Sequence, residues 1–393
     1  MATPWLKRSL VGLMAASMLM QPALASTAQR APNTRPASNT DEAGLWFESD
    51  KAETAAKGSA ELNSDVALTA YIQSVACKVA PEYCSELRVY VMDRPYFNAT
   101  VAPNGYVEVW SGLLLRVTDE AELAFVLGHE VTHFAENDSI EAQRALKTRA
   151  TVGLIFAAIS PIGAIAYLGA VASFFAYSRD QESQADAGGQ IRMVAAGYDP
   201  GNSITVWNSL LGETQSSDFP RTRREATRAS IFNTHPIDQA RITALTAQIR
   251  ARGEGGGPSL GESGRQRYRA MIRPHLAAWL RDELRRRDYG ESLHLIDRLA
   301  ADGEDAGLLG FFKGEAYRLR RQPGDAALAI AAYETASGKT DAPVAVWREL
   351  GNLYQAAGDK TRARTAFETY MARAPDAQDR WMVEAALKAV TGE

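Results

Sequence analysis

Residues 127–134, Leu127-Gly128-His129-Glu130-Val131-Thr132-His133-Phe134, contain the pattern H-E-x-x-H. On a helix the two histidines lie one turn apart, so both imidazoles project from one face toward a common point. Neutral imidazole suits zinc, and a catalytic zinc keeps one position open for water. A glutamate between the histidines is placed to take the proton of that water. His129 and His133 are thus candidate metal ligands and Glu130 a candidate general base. The local sequence supports the helix: Thr118-Asp119-Glu120 opens it, and Leu123, Phe125, Val126 and Leu127 follow. Phe125-Val126-Leu127 and Phe134-Ala135 imply burial, which weighs against two surface histidines.

Two histidines need a third ligand. Arg179 to Asp186 (RDQESQAD) reads as helix, with Glu182 and Asp186 at i and i+4 on one face. Either Glu182 ligates the metal and Asp186 accepts the spare N–H of a ligating histidine, or both are solvated helix charges. Spacing alone leaves the two readings open. Upstream, Leu45 to Cys84 reads as largely helical, with Leu68, Tyr71, Ile72 and Val75 on one face. Arg88 to Met92 has strand character, and Tyr106 to Trp110 alternates as a second strand after the turn Pro103-Asn104-Gly105. The two cysteines, Cys77 and Cys84, either pair and close a small loop or are free thiols near a helix end.

LGHEVTHF, then an apolar stretch, then SRDQESQAD resembles the zinc peptidases related to the CAAX prenyl protease and the bacterial membrane heat-shock protease, whose signature is H-E-x-x-H with a downstream E-x-x-x-D. The resemblance covers roughly residues 45–251. It implies one zinc per chain, held by His129, His133 and Glu182, with Asp186 behind a ligand. Asn98-Ala99 resembles the family segment before the zinc helix, where an edge strand is expected to hold extended substrate. Thr234-His235-Pro236, with Arg241 after it, resembles a segment close to the active site. There His235 either steadies the oxyanion or occupies the open zinc position and keeps the enzyme latent. A purely structural place before Pro236 is the remaining reading.

Residues 1–25 read as a signal peptide: Lys7 and Arg8 precede the apolar stretch Ser9 to Met20, and Ala23-Leu24-Ala25 offers a cleavage site. Export to the periplasm is expected, with residues 26–44 as a flexible leader. Thr151 to Tyr177 is strongly apolar, but Ser160-Pro161-Ile162-Gly163 interrupts it. Its two pieces are short for a span, so a buried or membrane-touching helical hairpin is expected, with peripheral membrane contact through 152–177. A net charge of −4 without a Lys/Arg-dense run weighs against a nucleic-acid partner.

Residues 252–266 form a Gly-rich linker between a peptidase domain (45–251) and a helical domain (267–393). In the latter, Trp347, Leu350, Gly351, Tyr354, Ala363, Phe367 and Pro375 fall at the spacing of a tetratricopeptide repeat, with further copies around Gly324-Asp325 and Gly290-Glu291. Small residues such as Gly351 and Ala363 let paired helices approach, and the concave face of such repeats takes a peptide or partner protein. His275 and His294 read as surface or packing residues. The expected fold is mainly α with a small β-sheet: a zincin-like α+β peptidase domain, then an all-α tetratricopeptide-repeat solenoid. The combination resembles the group of periplasmic β-barrel assembly-enhancing proteases. This resemblance implies misassembled outer-membrane proteins as substrates and a protein partner on the repeats. The competing expectation is a chaperone or adaptor whose peptidase site is largely latent.

Overall fold

The computed structural model describes residues 29–148, 178–225, 239–253 and 261–392. Helix α1 spans Asp41–Lys57 and is capped by the Thr40 hydroxyl on the Ala43 N–H. Helix α2 (Val66–Val79) is capped by Asp65 and buries Leu68, Ile72 and Val75, the stripe its periodicity predicts. Strands β1 (Arg88–Met92), β2 (Ala99–Val101) and β3 (Tyr106–Trp110) form a sheet in the order β1-β3-β2. β3 is central, parallel to β1 and antiparallel to β2. The β2–β3 turn places Gly105 at φ 84°, and a β-carbon there would sit 2.3 Å from the Glu86 carbonyl oxygen, so only glycine fits.

After α3 (Ser111–Arg116), helix α4 (Glu120–Ala135) starts where Asp119 accepts the Glu122 N–H. All its residues are buried, because the β2 edge, α2 and later helices surround it. Helix α5 (Asp138–Thr148) follows. Then come α6 (Arg179–Ala195), opened by a reciprocal Ser178/Gln181 cap, α7 (Gly201–Ser216), α8 (Pro220–Glu225) and α9 (Gln239–Ala251). The apolar stretch 151–177 lies outside the described residues, as do the signal segment and His235. Among the described residues no helix is long and apolar enough to cross a membrane.

Among the described residues from 261 on follow α10 (Arg265–Ile272), α11 (Leu276–Arg285), α12 (Tyr289–Leu299), α13 (Ala306–Arg320), α14 (Asp325–Ser337), α15 (Ala345–Ala356), α16 (Lys360–Arg373) and α17 (Arg380–Thr391). One contact recurs. Gly314 on α13 faces the Tyr333 ring of α14, and Gly351 on α15 faces the Phe367 ring of α16; a β-carbon at either glycine would lie 2.4 Å from ring carbon. A missing side chain on one helix thus receives an aromatic ring from the next.

Two expectations are modified and one open choice is resolved. The leader is held from Gln29 on: Arg30 is buried, donates to the Pro103 carbonyl at 2.9 Å, pairs with Glu86 at 2.8 Å and lies over the Phe134 ring. Helix α1 already begins at Asp41, inside the segment read as leader. An apolar-poor composition does not prevent order when one arginine finds carbonyl, carboxylate and ring partners together. The linker is shorter than 252–266, since Glu262 bonds back to Gly197, Ser263 accepts from Ala121, and α10 starts at Arg265. The two cysteines do pair, Cys77–Cys84, with Cα atoms 4.6 Å apart.

The linker does not divide the core either. One apolar cluster runs from Leu68 to Val390. Across it, Arg116 is buried between Glu213 (2.5 Å) and Glu283 (3.0 Å), and Arg298 pairs with Glu122 at 2.6 Å. The Trp279 indole donates to Asp93 at 2.8 Å, and His275, read as a surface or packing residue, lies 2.9 Å from Asp65. Arg116→Ala would strand two buried carboxylates and should lower stability by about 3–5 kcal/mol. Urea denaturation followed by tryptophan fluorescence and far-UV circular dichroism should show one shared transition, shifted down in the variant.

Candidate metal centre

The site grows from a close crossing of α4 and α6. A β-carbon on Gly189 would lie 2.8 Å from the His129 backbone nitrogen, and one on Gly188 would lie 2.5 Å from Thr132 Oγ1. Gly128 is close from the other side, where a β-carbon would lie 3.1 Å from the Gly189 carbonyl oxygen. With no side chains between them, the helix backbones approach until the carboxylates of α6 reach the imidazoles of α4. Gly128 and the Gly188-Gly189 pair beside the acidic motif were the sequence signal for this crossing.

The crossing brings His129, His133 and Glu182 together, each almost fully buried, with one ligand atom apiece within 4.8 Å of the others. The two Nε2 atoms are 3.2 Å apart, and the Glu182 carboxylate oxygens lie 3.6 Å from His129 Nε2 and 3.7 Å from His133 Nε2. Each Nδ1 faces a carboxylate: His129 meets Asp186 Oδ1 at 3.1 Å and His133 meets Asp138 Oδ2 at 2.6 Å. With Nδ1–H donating to these acids, both Nε2 lone pairs point at each other and at Glu182. Two lone pairs and an anionic oxygen converging in a buried space fit a cation. The donor set, two imidazoles and one carboxylate, suits zinc.

A second layer holds this arrangement. Buried Arg241 grips Asp186 through Nε at 2.6 Å and Nη2 at 2.7 Å, and reaches Glu182 Oε2 through Nη1 at 2.8 Å. Burial alone would raise the Asp186 carboxyl; the Arg241 charge and hydrogen bonds, with His129, overcome it and hold the group at about 2. The Trp207 indole also donates to Asp186, at 3.2 Å. Asp138 accepts from Gln181 Nε2 at 3.0 Å. Burial, its largest influence, nevertheless pushes its carboxyl up to about 7, and Glu141, Glu136 and Glu182 add to the rise.

Glu130 projects beside this centre into a small cleft lined by Phe97, Asn98, Ala99, Val126, His129 and Trp207. Asn98 and Ala99 enter edge strand β2, where the Asn98 carbonyl accepts the Trp110 N–H at 3.0 Å. The cleft therefore joins the expected strand to the expected base. Sequence reasoning did not single out Asp138 or Trp207. Asp138 lies five residues after His133, beyond Asn137 at φ 59°, a turn that returns its carboxylate under the ring.

If these contacts orient the imidazoles, Asp186→Asn and Asp138→Asn should each weaken zinc binding by about 10–100-fold. Competition with a chromogenic chelator reads this without proteolysis. Gly189→Ala should cost about 1–3 kcal/mol of stability by overpacking the crossing, seen as a lower thermal midpoint, and should weaken zinc binding in the same assay.

Comparison with known proteins agrees with the motif. Residues 64–249 match the family model Peptidase family M48. The chain is 35% identical to the mitochondrial metalloendopeptidase OMA1 of Bos taurus over 134 residues, covering 31% of this chain and 26% of the relative. It is 30% identical over 159 residues to a putative beta-barrel assembly-enhancing protease of Vibrio cholerae, 37% of this chain and 31% of that protein. The beta-barrel assembly-enhancing protease of Escherichia coli (strain K12) matches at 26% over 257 residues, 60% of this chain and 51% of that one. The chain thus spans between about a quarter and a half of the length of these relatives. The segment 64–249, which carries the buried histidine pair and the facing carboxylate, is thus similar to peptidase family M48.

Proposed function

We propose that this protein is a zinc-dependent endopeptidase of the periplasm that cuts misfolded or misassembled polypeptides, outer-membrane proteins among them. The observation that carries the reading is the buried convergence of His129, His133 and Glu182, with each histidine Nδ1 facing a carboxylate and Glu130 alongside. These three residues would hold the ion, which when bound supplies a Lewis acid for the scissile carbonyl and acidifies a water.

The rest is assigned to the chain. Glu130 accepts the proton of the attacking water and returns it to the leaving amine. Asp186 and Asp138 keep the histidine Nε2 atoms turned inward, and Arg241 keeps Asp186 ionised and holds Glu182 in place. The edge of β2 at Asn98-Ala99 takes substrate as an added strand, which aligns a backbone carbonyl rather than selecting a side chain. His235 remains proposed for the same site, as oxyanion donor or as a latency ligand. The C-terminal helices are read as tetratricopeptide-like units that recruit substrate or a partner. Export through a cleaved signal and peripheral membrane contact through 152–177 complete the proposal. Relatives named for beta-barrel assembly support the outer-membrane substrate class.

A second reading, an adaptor or chaperone with a latent site, draws on burial. His129 and His133 are each 1% exposed and Glu130 5%. Such a centre needs a movement before a peptide reaches it.

Digestion of an unstructured protein by the wild type and by Glu130→Gln tests the proposal. The expected result is cleavage that a chelator abolishes, zinc restores, and Glu130→Gln lowers by about 10²–10⁴-fold. Zinc-loaded wild type that cleaves nothing would favour the adaptor. Equal cleavage by both would remove Glu130 from its role.

A further inference from the structure

The C-terminal helices enclose a groove that shares no lining residue with the cleft beside His129. Its cavity is about 830 Å³. Leu284, Phe311 and Phe312 are buried side chains along its floor. Its charged lining is five arginines, at 281, 285, 287, 321 and 348, against one acid, Glu315. That acid is already engaged, by Arg318 at 2.5 Å and by the Tyr333 hydroxyl. Arg285 pairs with Asp282, and Arg348 with Glu349 and Asp379. Among the described residues no carboxylate pairs with Arg281, Arg287 or Arg321.

The backbone supplies a second, independent sign. Arg287 follows the end of α11 at φ 64°, and Arg321 ends α13 at φ 58°. The matching end of α15 turns at Gly358, φ 79°. Left-handed backbone at a helix end is the place of glycine, because a β-carbon is strained there. Two arginines occupy it, and both line the groove. Local strain kept at two such positions points to a use for the side chains.

We propose that this groove binds an acidic, extended polypeptide segment of a partner protein. Its carboxylates pair with Arg281, Arg287 and Arg321, and its apolar side chains lie on the Leu284–Phe311–Phe312 floor. Guanidinium groups match carboxylates in paired, planar hydrogen bonds, which sets the sign and geometry of the guest. The cavity suits a few side chains, not a folded domain. The inference rests on the recruiting role proposed for the helical region and is independent of peptide cleavage.

The test uses the full exported chain carrying Glu130→Gln, so that nothing is cut. Fluorescence anisotropy follows a short labelled peptide alternating Asp or Glu with Leu or Phe, beside its Asn/Gln counterpart and an oligothymidylate. The acidic peptide should bind best, more weakly in high salt. Arg287→Gly and Arg321→Gly should each weaken it by roughly tenfold while the thermal midpoint holds or rises, because glycine relieves the left-handed turn. Unchanged affinity in both glycine variants, or tighter binding of the oligothymidylate, would overturn the proposal. Equal binding of the acidic and neutral peptides would overturn it too, yet leave the recruiting role standing. No binding of any probe would count against both.

Discussion

Much of this molecule depends on how closely α4 and α6 can approach. Here the carboxylate of α6 reaches the imidazoles of α4 across an unusually close crossing of the two backbones. Gly128, Gly188 and Gly189 remove the β-carbons at the crossing, and the helices close until His129 nitrogen and the Gly189 position are almost in contact. Everything in the centre is measured from that crossing. The 3.6 and 3.7 Å reach of Glu182 and the 3.1 Å contact of Asp186 with His129 follow from it.

Close approach alone would place four acids and two histidines in a nearly dry space, at a high electrostatic cost. Arg241 offsets part of it by binding Asp186 and Glu182 with one guanidinium, which holds the first carboxylate ionised despite complete burial. Asp138 accepts instead from the neutral Gln181 amide, and burial pushes its carboxyl up to about 7. The two histidines are therefore held by acids of different character, one kept low by an arginine and one raised by burial.

The C-terminal helices belong to the same physical object as the site. Arg116, at the end of the short helix before α4, is buried between an acid of α7 and an acid of α11. Arg298 on α12 reaches Glu122 in the first turn of α4 itself. A shift of the helical region would therefore pull on the N-terminal end of the helix that carries His129 and His133. Buried ion pairs do not add much net stability, but their geometry is specific and costly to break, so they fix how the two regions sit.

The sequence by itself determined the local chemistry. H-E-x-x-H put two rings on one face of α4, the strands fell at Arg88–Met92 and Tyr106–Trp110 as their alternation required, and the stripe of α2 was buried as spaced. These features have short periods, so neighbouring residues decide them. Whether Glu182 and Asp186 were partners of the histidines or solvated charges was undecidable from spacing, because the answer lies in a contact between α4 and a helix more than forty residues later. Only the tertiary structure decided it, and only there did Asp138, Trp207 and the double grip of Arg241 join the centre. The same holds for the linker: glycines report that a chain can bend, while the core running from Leu68 to Val390 shows that the parts joined by it nevertheless pack as one. Composition describes what a segment can do alone, and packing decides what it does in company.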